Sequence, residues 1–410
     1  MKSVKKIMAL LLVLVLAVSS MTGCSKEEEG KENDTPSAND GNDAADDQGS
    51  DAADGAADGE NVFLIGSSGP LTGQASSYGI SVKQGAEVAI NEINEAGGVK
   101  VGDKTYTLKL QMEDDEATED KAITAYNTLM DAGMNAFMGT VTTGACLAVI
   151  DSSYADGILQ LTPSASAAAV TEHENSFRLC FTDPLQGITM ADFAYDTLGL
   201  KTAAVLYTNA EDYSSGMMEA FVEEFEAKGG KVLANEVFGV EDVDFTTQLT
   251  KIKKTNAECI FVPYYYQAAT YITKQAKELG IETQFLGGDG WDGVLGTVTD
   301  TSTVEGAIFL SPFFAADEDP LVKSFVEKYQ AAYNATPDQF AADGYDCVYV
   351  IKAAMEKAGS IEGADLIAAM PEISIDGLTG KGLSFTPEGE PNKAATFIKI
   401  VDGAYTSLAQ

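Results

Sequence analysis

The sequence predicts an α/β fold of two similar doubly wound lobes, each a parallel sheet covered by helices, with a ligand cleft between them. Three observations lead there. From Asn61 onward, short apolar runs alternate with amphipathic stretches, the pattern of strands joined by right-handed crossover helices. The alternation comes in two series, the second starting near residue 202, so two lobes fit better than one large sheet. The chain has 410 residues, 45% of them apolar, enough for two cores at roughly 100–200 residues per domain.

In the first series, Val62–Gly66 reads as a strand. Gly79–Ala96 reads as a helix with Val82, Ala86, Ala89, Ile90 and Ile93 on one face and Gly97-Gly98 as its stop. Thr105–Met112 is the next strand and Thr118–Asp131 the next helix. The second series runs through strand Thr202–Tyr207, helix 214–228, strand Lys231–Phe238, helix 245–254, strand Cys259–Val262, helix 267–279 and strand Gln284–Gly287.

The first sixty residues are a separate object. Lys2, Lys5 and Lys6 precede an apolar run from Ile7 to Val18, shorter than the ~20 residues of a membrane span and suited to a secretion signal. Met21-Thr22-Gly23-Cys24 resembles a bacterial lipobox, with Met where Leu is usual. The resemblance implies a signal peptide over 1–23 and a diacylated Cys24 as mature N-terminus. Residues 24–60 then form a lipidated N-terminus and an acidic linker, too poor in apolar residues to offset chain entropy by burial. Asp51 and Asp54-Gly55 lack the closing Glu of a calcium loop.

Charge and residue types exclude several function classes. Lys+Arg number 26 against 63 Asp+Glu, a net charge of −37; this field repels nucleic acid and anionic lipid surfaces. Cys146, Cys180, Cys259 and Cys347 are far apart and His173 is the sole histidine, so no cysteine/histidine metal site is expected. One disulfide among these cysteines stays open. There is no G-x-S-x-G and no P-loop, and His173 sits among polar residues. Neither catalysis nor a cofactor is expected.

In open α/β sheets ligands bind outside the carboxyl ends of strands, so the strand exits carry the candidate site. Thr142, Thr143 and Gly144 open a helix after an apolar run, where free backbone N–H groups and hydroxyls suit a carboxylate; an ordinary cap fits the same pattern. Ser164, Ala165 and Ser166 form a second exit, whose carbonyls and hydroxyls could accept from an ammonium group. Phe285-Leu286-Gly287-Gly288-Asp289-Gly290-Trp291 puts an acid between glycines after a strand. Gly288, Gly290 and Gly293 match a dinucleotide spacing, but Asp289 and Asp292 would repel a pyrophosphate there; Asp289 suits an ammonium partner. Tyr78, Tyr213, Tyr264-Tyr265-Tyr266, Trp291 and Tyr345 fall near loop–helix junctions and could wall a small-ligand cleft.

Ile65-Gly66-Ser67-Ser68-Gly69-Pro70-Leu71-Thr72-Gly73, Tyr78-Gly79, Gly85, Asn91 to Val99, Asp114-Asp115, Thr162-Pro163-Ser164, Phe285-Leu286-Gly287 and Gly344-Tyr345-Asp346 together resemble the type I periplasmic binding proteins, in the leucine/isoleucine/valine-binding branch of ABC importers. The resemblance spans 61–405. It implies lobe 1 at 61–181 plus 312–387 and lobe 2 at 182–311 plus 388–410. It also implies an amino acid carboxylate on Thr142, Thr143 and Gly144, and an ammonium group on the loop Ser164, Ala165 and Ser166. Asp289 closes on the ammonium where leucine-type relatives carry Glu. Tyr78, Tyr213 and Tyr265 line the cleft beside Trp291. Relatives carry a lobe 1 disulfide whose first cysteine aligns near Ala117, so that bridge is absent here.

The implied protein is a monomeric substrate-binding lipoprotein held by Cys24 on the outer face of the cell membrane, facing the periplasm where an outer membrane exists. It closes on a branched-chain or other small amino acid and presents it to permease subunits. A ligand-sensing receptor of the same fold is the alternative, and the shorter acid at Asp289 leaves amide-like, urea-like or aromatic solutes open.

Overall fold

A computed structural model of the protein describes residues 61–408; the signal segment, Cys24 and the acidic linker lie outside the described residues. One sheet is built from β1 (Asn61–Gly69), β2 (Val99–Val101), β3 (Lys104–Asp114), β4 (Ala136–Gly139), β5 (Gln160–Thr162) and β6 (Ser176–Arg178), in the order β2-β3-β1-β4-β5-β6. The other holds β7 (Thr202–Tyr207), β8 (Lys231–Val237), β9 (Cys259–Val262), β10 (Gln284–Gly287), β11 (Ile308–Ser311), β12 (Thr396–Val401) and β13 (Ala404–Leu408), in the order β13-β12-β11-β10-β9-β7-β8. The helices are α1 (Ser76–Glu95), α2 (Glu119–Asp131), α3 (Thr143–Leu147), α4 (Ile150–Ala155), α5 (Asp183–Asp192), α6 (Asp212–Ala227), α7 (Thr246–Lys253), α8 (Tyr266–Glu278), α9 (Pro320–Tyr333), α10 (Gln339–Ala358) and α11 (Gly363–Ala369).

The two series obey one rule. In the first sheet the parallel strands run β3-β1-β4-β5-β6, and in the second β8-β7-β9-β10-β11. Each therefore has the second–first–third–fourth–fifth order of a doubly wound sheet, with its switch point between the first and third strands. Both sheets depart from the all-parallel expectation at their edges. β2 pairs antiparallel with β3, β12 with β11, and β13 with β12. The last hairpin turns on Asp402 and Gly403 at φ 52° and 71°, the left-handed pair that a two-residue hairpin loop requires.

The chain passes between the sheets three times: after β6, after β11, and again before β12. The segment between the second and third passages packs on the first sheet's side, because α10 lies against α1. That contact is a backbone-to-backbone approach. A Cβ on Gly85 would stand 1.8 Å from the Ala341 carbonyl oxygen, and one on Gly344 would stand 2.2 Å from the Val82 carbonyl oxygen. Only glycine permits helices so close.

Around the crossings, charge is buried in pairs. Arg178, with no exposed surface, gives Nε to Glu390 at 3.0 Å, Nη1 to the Ala167 carbonyl at 2.8 Å, and Nη2 to the Ala168 carbonyl and Thr171, each at 3.0 Å. Lys393 and Asp343 form a second buried pair at 3.1 Å. Cys146, Cys180, Cys259 and Cys347 are all buried and unpaired. Among the described residues no helix is long and apolar enough to cross a membrane.

The α1–α10 approach yields a direct test. Gly344→Ala should lower the unfolding free energy by about 1–3 kcal/mol in a urea titration, through overpacking against backbone. Gly380→Ala, where a Cβ meets nothing within 4 Å, should stay within about 0.5 kcal/mol of the parent.

Candidate ligand-binding cleft

The switch points position the site. Loops leaving β1 and β4 on the first sheet, and β7 and β9 on the second, converge where a cavity is lined by Tyr78, Val141, Thr142, Thr143, Ser164, Tyr213, Tyr265, Asp289, Gly290 and Phe340. Tyr78 and Tyr213 hold matching places. Each sits in the first turn of the helix that follows its sheet's first strand, α1 and α6 respectively. Tyr265 lies between them, edge-on to Tyr78 with centroids 5.6 Å apart and stacked on Tyr213 at 5.0 Å. Phe340 closes against Tyr78 at 4.1 Å.

On the second sheet's side, the turn after β10 is held from three directions. The Asp289 N–H donates to Gln186 Oε1 at 2.9 Å, and its carbonyl accepts from Gln339 Nε2 at 2.5 Å. Its carboxylate accepts from the Tyr213 hydroxyl at 2.7 Å, and that hydroxyl accepts from the Gly290 N–H at 2.9 Å. Asp289 is only 5% exposed. Burial pushes its carboxyl up, with Tyr213 and Gln186 pulling the other way. Burial, then the Asp289 charge, pushes the Tyr213 hydroxyl up, so Tyr213 remains a neutral donor. A buried carboxylate resting on a neutral donor is under-compensated, and a cation brought to it would be strongly favoured.

On the first sheet's side, two strand exits are laced together. Thr162 Oγ1 donates to the Thr140 carbonyl at 2.6 Å and accepts from Ala165 N–H at 2.9 Å. Ser164 Oγ donates to the Val141 carbonyl at 2.6 Å, and Ser166 N–H donates to Thr143 Oγ1 at 3.1 Å. Thr142 caps α3 through its backbone alone, and its hydroxyl is buried with no hydrogen-bond partner. The lacing fixes the loop backbone and leaves the Thr142 hydroxyl unused within the chain.

The lobes meet directly across the cavity. Tyr78 Oη donates to the Gly290 carbonyl at 2.5 Å and accepts from the Tyr266 N–H at 3.1 Å. About 10 Å³ of the cavity is open to the centre of a water molecule, which is room for about one water.

Of the residues nominated from sequence, Tyr78, Thr142, Thr143, Ser164, Tyr213, Tyr265 and Asp289 are brought together. Gly144, Ala165 and Ser166 stand behind that lining. Trp291 does not reach the cleft. It has no exposed surface, donates Nε1 to the Val262 carbonyl at 2.8 Å, and packs over Gly287; the turn that presents Asp289 sends the indole into the second lobe's core. Tyr345 lies inside α10 with its hydroxyl on Glu92 at 2.7 Å. Tyr264 gives its hydroxyl to Glu211 at 2.9 Å.

Sequence reasoning missed Gln186 and Gln339, which hold Asp289, and Phe340, which lines the cavity; it also missed the buried acid Asp183, which lies outside that lining. Asp183 is 1% exposed, and neither carboxylate oxygen accepts a hydrogen bond. Burial raises its carboxyl against the help of the Ser166 hydroxyl beside it. The signal for it was Thr182-Asp183-Pro184, a cap, an acid and a proline opening α5, with Leu185 N–H on Thr182 Oγ1 at 3.3 Å. The three-residue β6 in front of it was too short to mark a strand exit.

Comparison with known proteins places the fold in a family. A family model described as periplasmic binding protein matches residues 63–404. The Leu/Ile/Val-binding protein homolog 3 of Brucella melitensis is 30% identical over 75% of this chain and 82% of its own. Among solved structures, the leucine-binding protein LivK of Thermotoga maritima is 28% identical, covers 85% of this chain and 98% of that one, and superposes with a TM-score of 0.78. LivJ of Streptococcus pneumoniae, a branched-chain amino acid transporter substrate-binding protein solved with isoleucine, is also 28% identical, with coverages of 85% and 99% and a TM-score of 0.78. The chain therefore belongs to the periplasmic binding protein family, a family of extracytoplasmic solute binders and not of enzymes.

Proposed function

We propose that the protein is the substrate-binding component of an ABC importer and carries a branched-chain or other small aliphatic amino acid. The observation that carries this reading is Asp289: a buried carboxylate with a neutral tyrosine on it, facing the Thr142–Thr143 exit across a cavity walled by Tyr78, Tyr213 and Tyr265. An α-ammonium group supplies the missing positive charge at Asp289. An α-carboxylate takes the Thr142 hydroxyl and the backbone N–H groups that begin α3. The tyrosine rings then surround the side chain. Relatives named for leucine, isoleucine and valine, and LivJ with isoleucine, support the choice of ligand.

Seating a solute of that size requires the Tyr78–Gly290 and Gln339–Asp289 contacts to lengthen, so binding proceeds through an open state and reclosure around the solute. Lobe 1 is taken as 61–181 with 312–387 and lobe 2 as 182–311 with 388–410, the three passages between sheets acting as the hinge. Cys24 is the lipid anchor, placing the protein at the outer face of the membrane as a monomer beside its permease. Radiolabelled palmitate should enter the parent chain in a bacterial host and be absent from Cys24→Ser; equal labelling would sink the anchor.

Two measurements test the ligand. Thermal unfolding against a panel of amino acids, amides and small carboxylates should show leucine, isoleucine or valine stabilising the protein by about 2.7 kcal/mol at 100 times its dissociation constant. Stabilisation by amides or aromatic acids alone would replace the ligand, and none from the whole panel would overturn the transport reading. Asp289→Asn keeps the side chain's shape and the Tyr213 contact but removes the charge. Calorimetry should show about tenfold to hundredfold weaker amino acid binding, the worth of one charge-assisted hydrogen bond, with the unliganded fold no less stable.

A further inference from the structure

A second cavity is lined by residues that follow the Asp289 turn, Asp292 and Gly293 among them. Its volume is about 570 Å³, inside the roughly 300–1,000 Å³ usual for small-ligand pockets. It shares no lining residue with the cleft. Phe309, Phe313, Phe314, Leu295, Ile398 and Tyr405 give it an apolar wall. Set into that wall are two carboxylates from different parts of the fold: Asp292 from the turn after β10, and Asp338 from the N-terminus of α10.

The two acids are unevenly satisfied. Asp338 accepts from Ala341 N–H at 3.0 Å and from Ser81 Oγ at 2.7 Å, a complete helix cap. Asp292 is 4% exposed, and its Oδ2 accepts from Gln339 N–H at 3.0 Å. Its Oδ1 has no hydrogen-bond partner, and neither has the hydroxyl of Ser77, which lines the same cavity. None of the described residues lining the cavity is basic. Burial, then the charge of Asp338, pushes the Asp292 carboxyl up to about 8, so at neutral pH the pair keeps a proton until a cation displaces it.

We propose that this pocket is a second ligand site and takes a small organic monocation, a primary ammonium carrying an apolar body. The ammonium has three donors to share: the orphaned Asp292 oxygen accepts one, and the Asp338 carboxylate and the Ser77 hydroxyl are acceptors within the same cavity. The hydrocarbon covers the phenyl wall. A divalent metal does not fit. Calcium needs 6–8 oxygen ligands, and no group of three or more acidic, cysteine or histidine side chains that could hold a metal occurs among the described residues. Asp292 and Asp338 belong to segments packed on opposite sheets, so an occupant joins the lobes away from the transported solute.

The test uses the full chain and 2-phenylethylammonium as probe, with 2-phenylethanol and 3-phenylpropionate as neutral and anionic counterparts of similar shape. Calorimetry should show saturable one-to-one binding of the amine, at least tenfold tighter than the alcohol and with no uptake of the acid. Asp292→Asn should weaken amine binding at least tenfold. Gly296→Phe should abolish it: Gly296 lines the cavity, its backbone is not left-handed, and a Cβ there meets nothing within 4 Å, so the ring fills the pocket without disturbing the fold. Asp289→Asn in the cleft should leave it intact. Absence of saturable amine binding, equal affinity for the alcohol, or binding that survives Gly296→Phe but is lost in Asp289→Asn would overturn the proposal. Should Asp292→Asn fail to fold, the Gly296→Phe and Asp289→Asn pair decides alone.

Discussion

A carboxylate held out of water at Asp289, with a tyrosine hydroxyl bonded to it, is the constraint around which the cleft is arranged. Left alone, such a group costs several kcal/mol. Among the described residues no lysine or arginine forms an ion pair with it. The protein grips the backbone instead, with Gln186 on the N–H and Gln339 on the carbonyl, and uses Tyr213 to join carboxylate and Gly290. Gln186 belongs to α5 and Gln339 begins α10. The acid's position thus depends on helices that follow two of the three passages between the sheets.

Topology explains why the remaining groups gather there. Both sheets reverse their strand order between first and third strands, so each offers one crevice at its carboxyl edge. With two such sheets, the crevices face each other and contribute like parts. Tyr78 and Tyr213 mark the same place in the two repeats, yet one bonds to the opposite lobe and the other to Asp289 in its own. Equivalent scaffolding thus carries unequal bonds.

Much of this was legible in the sequence, and the failures have physical reasons. The strands at 202–207, 259–262 and 284–287 appear with the bounds their apolar runs dictate, because strands buried on both faces need unbroken apolar residues. Thr142, Thr143, Ser164 and Asp289 were readable since strand exits are where small polar residues interrupt such runs. Trp291 was misplaced because sequence adjacency to Asp289 says nothing of direction: a short turn sends neighbouring side chains apart, one to the cleft and one to the core. The antiparallel edges were not legible from the crossover pattern: Asp402-Gly403 is a hairpin signal, but β12 and β13 have no helix between them and enter their sheet only after the chain returns from the other one. The pairing of α1 with α10 joins residues more than 250 positions apart, such as Gly85 and Ala341, and no periodicity reports a partner at that distance.

The bonds from Tyr78 to Gly290 and Tyr266 join the two lobes through one phenol hydroxyl. That oxygen donates to a carbonyl and accepts from an N–H, so two points of the second lobe are tied to a single atom of the first. Donor and acceptor ride on one rotor, and the two bonds therefore form or break together. The contact behaves as one latch, and losing it leaves the Gly290 carbonyl and the Tyr266 N–H in need of new partners at the same moment.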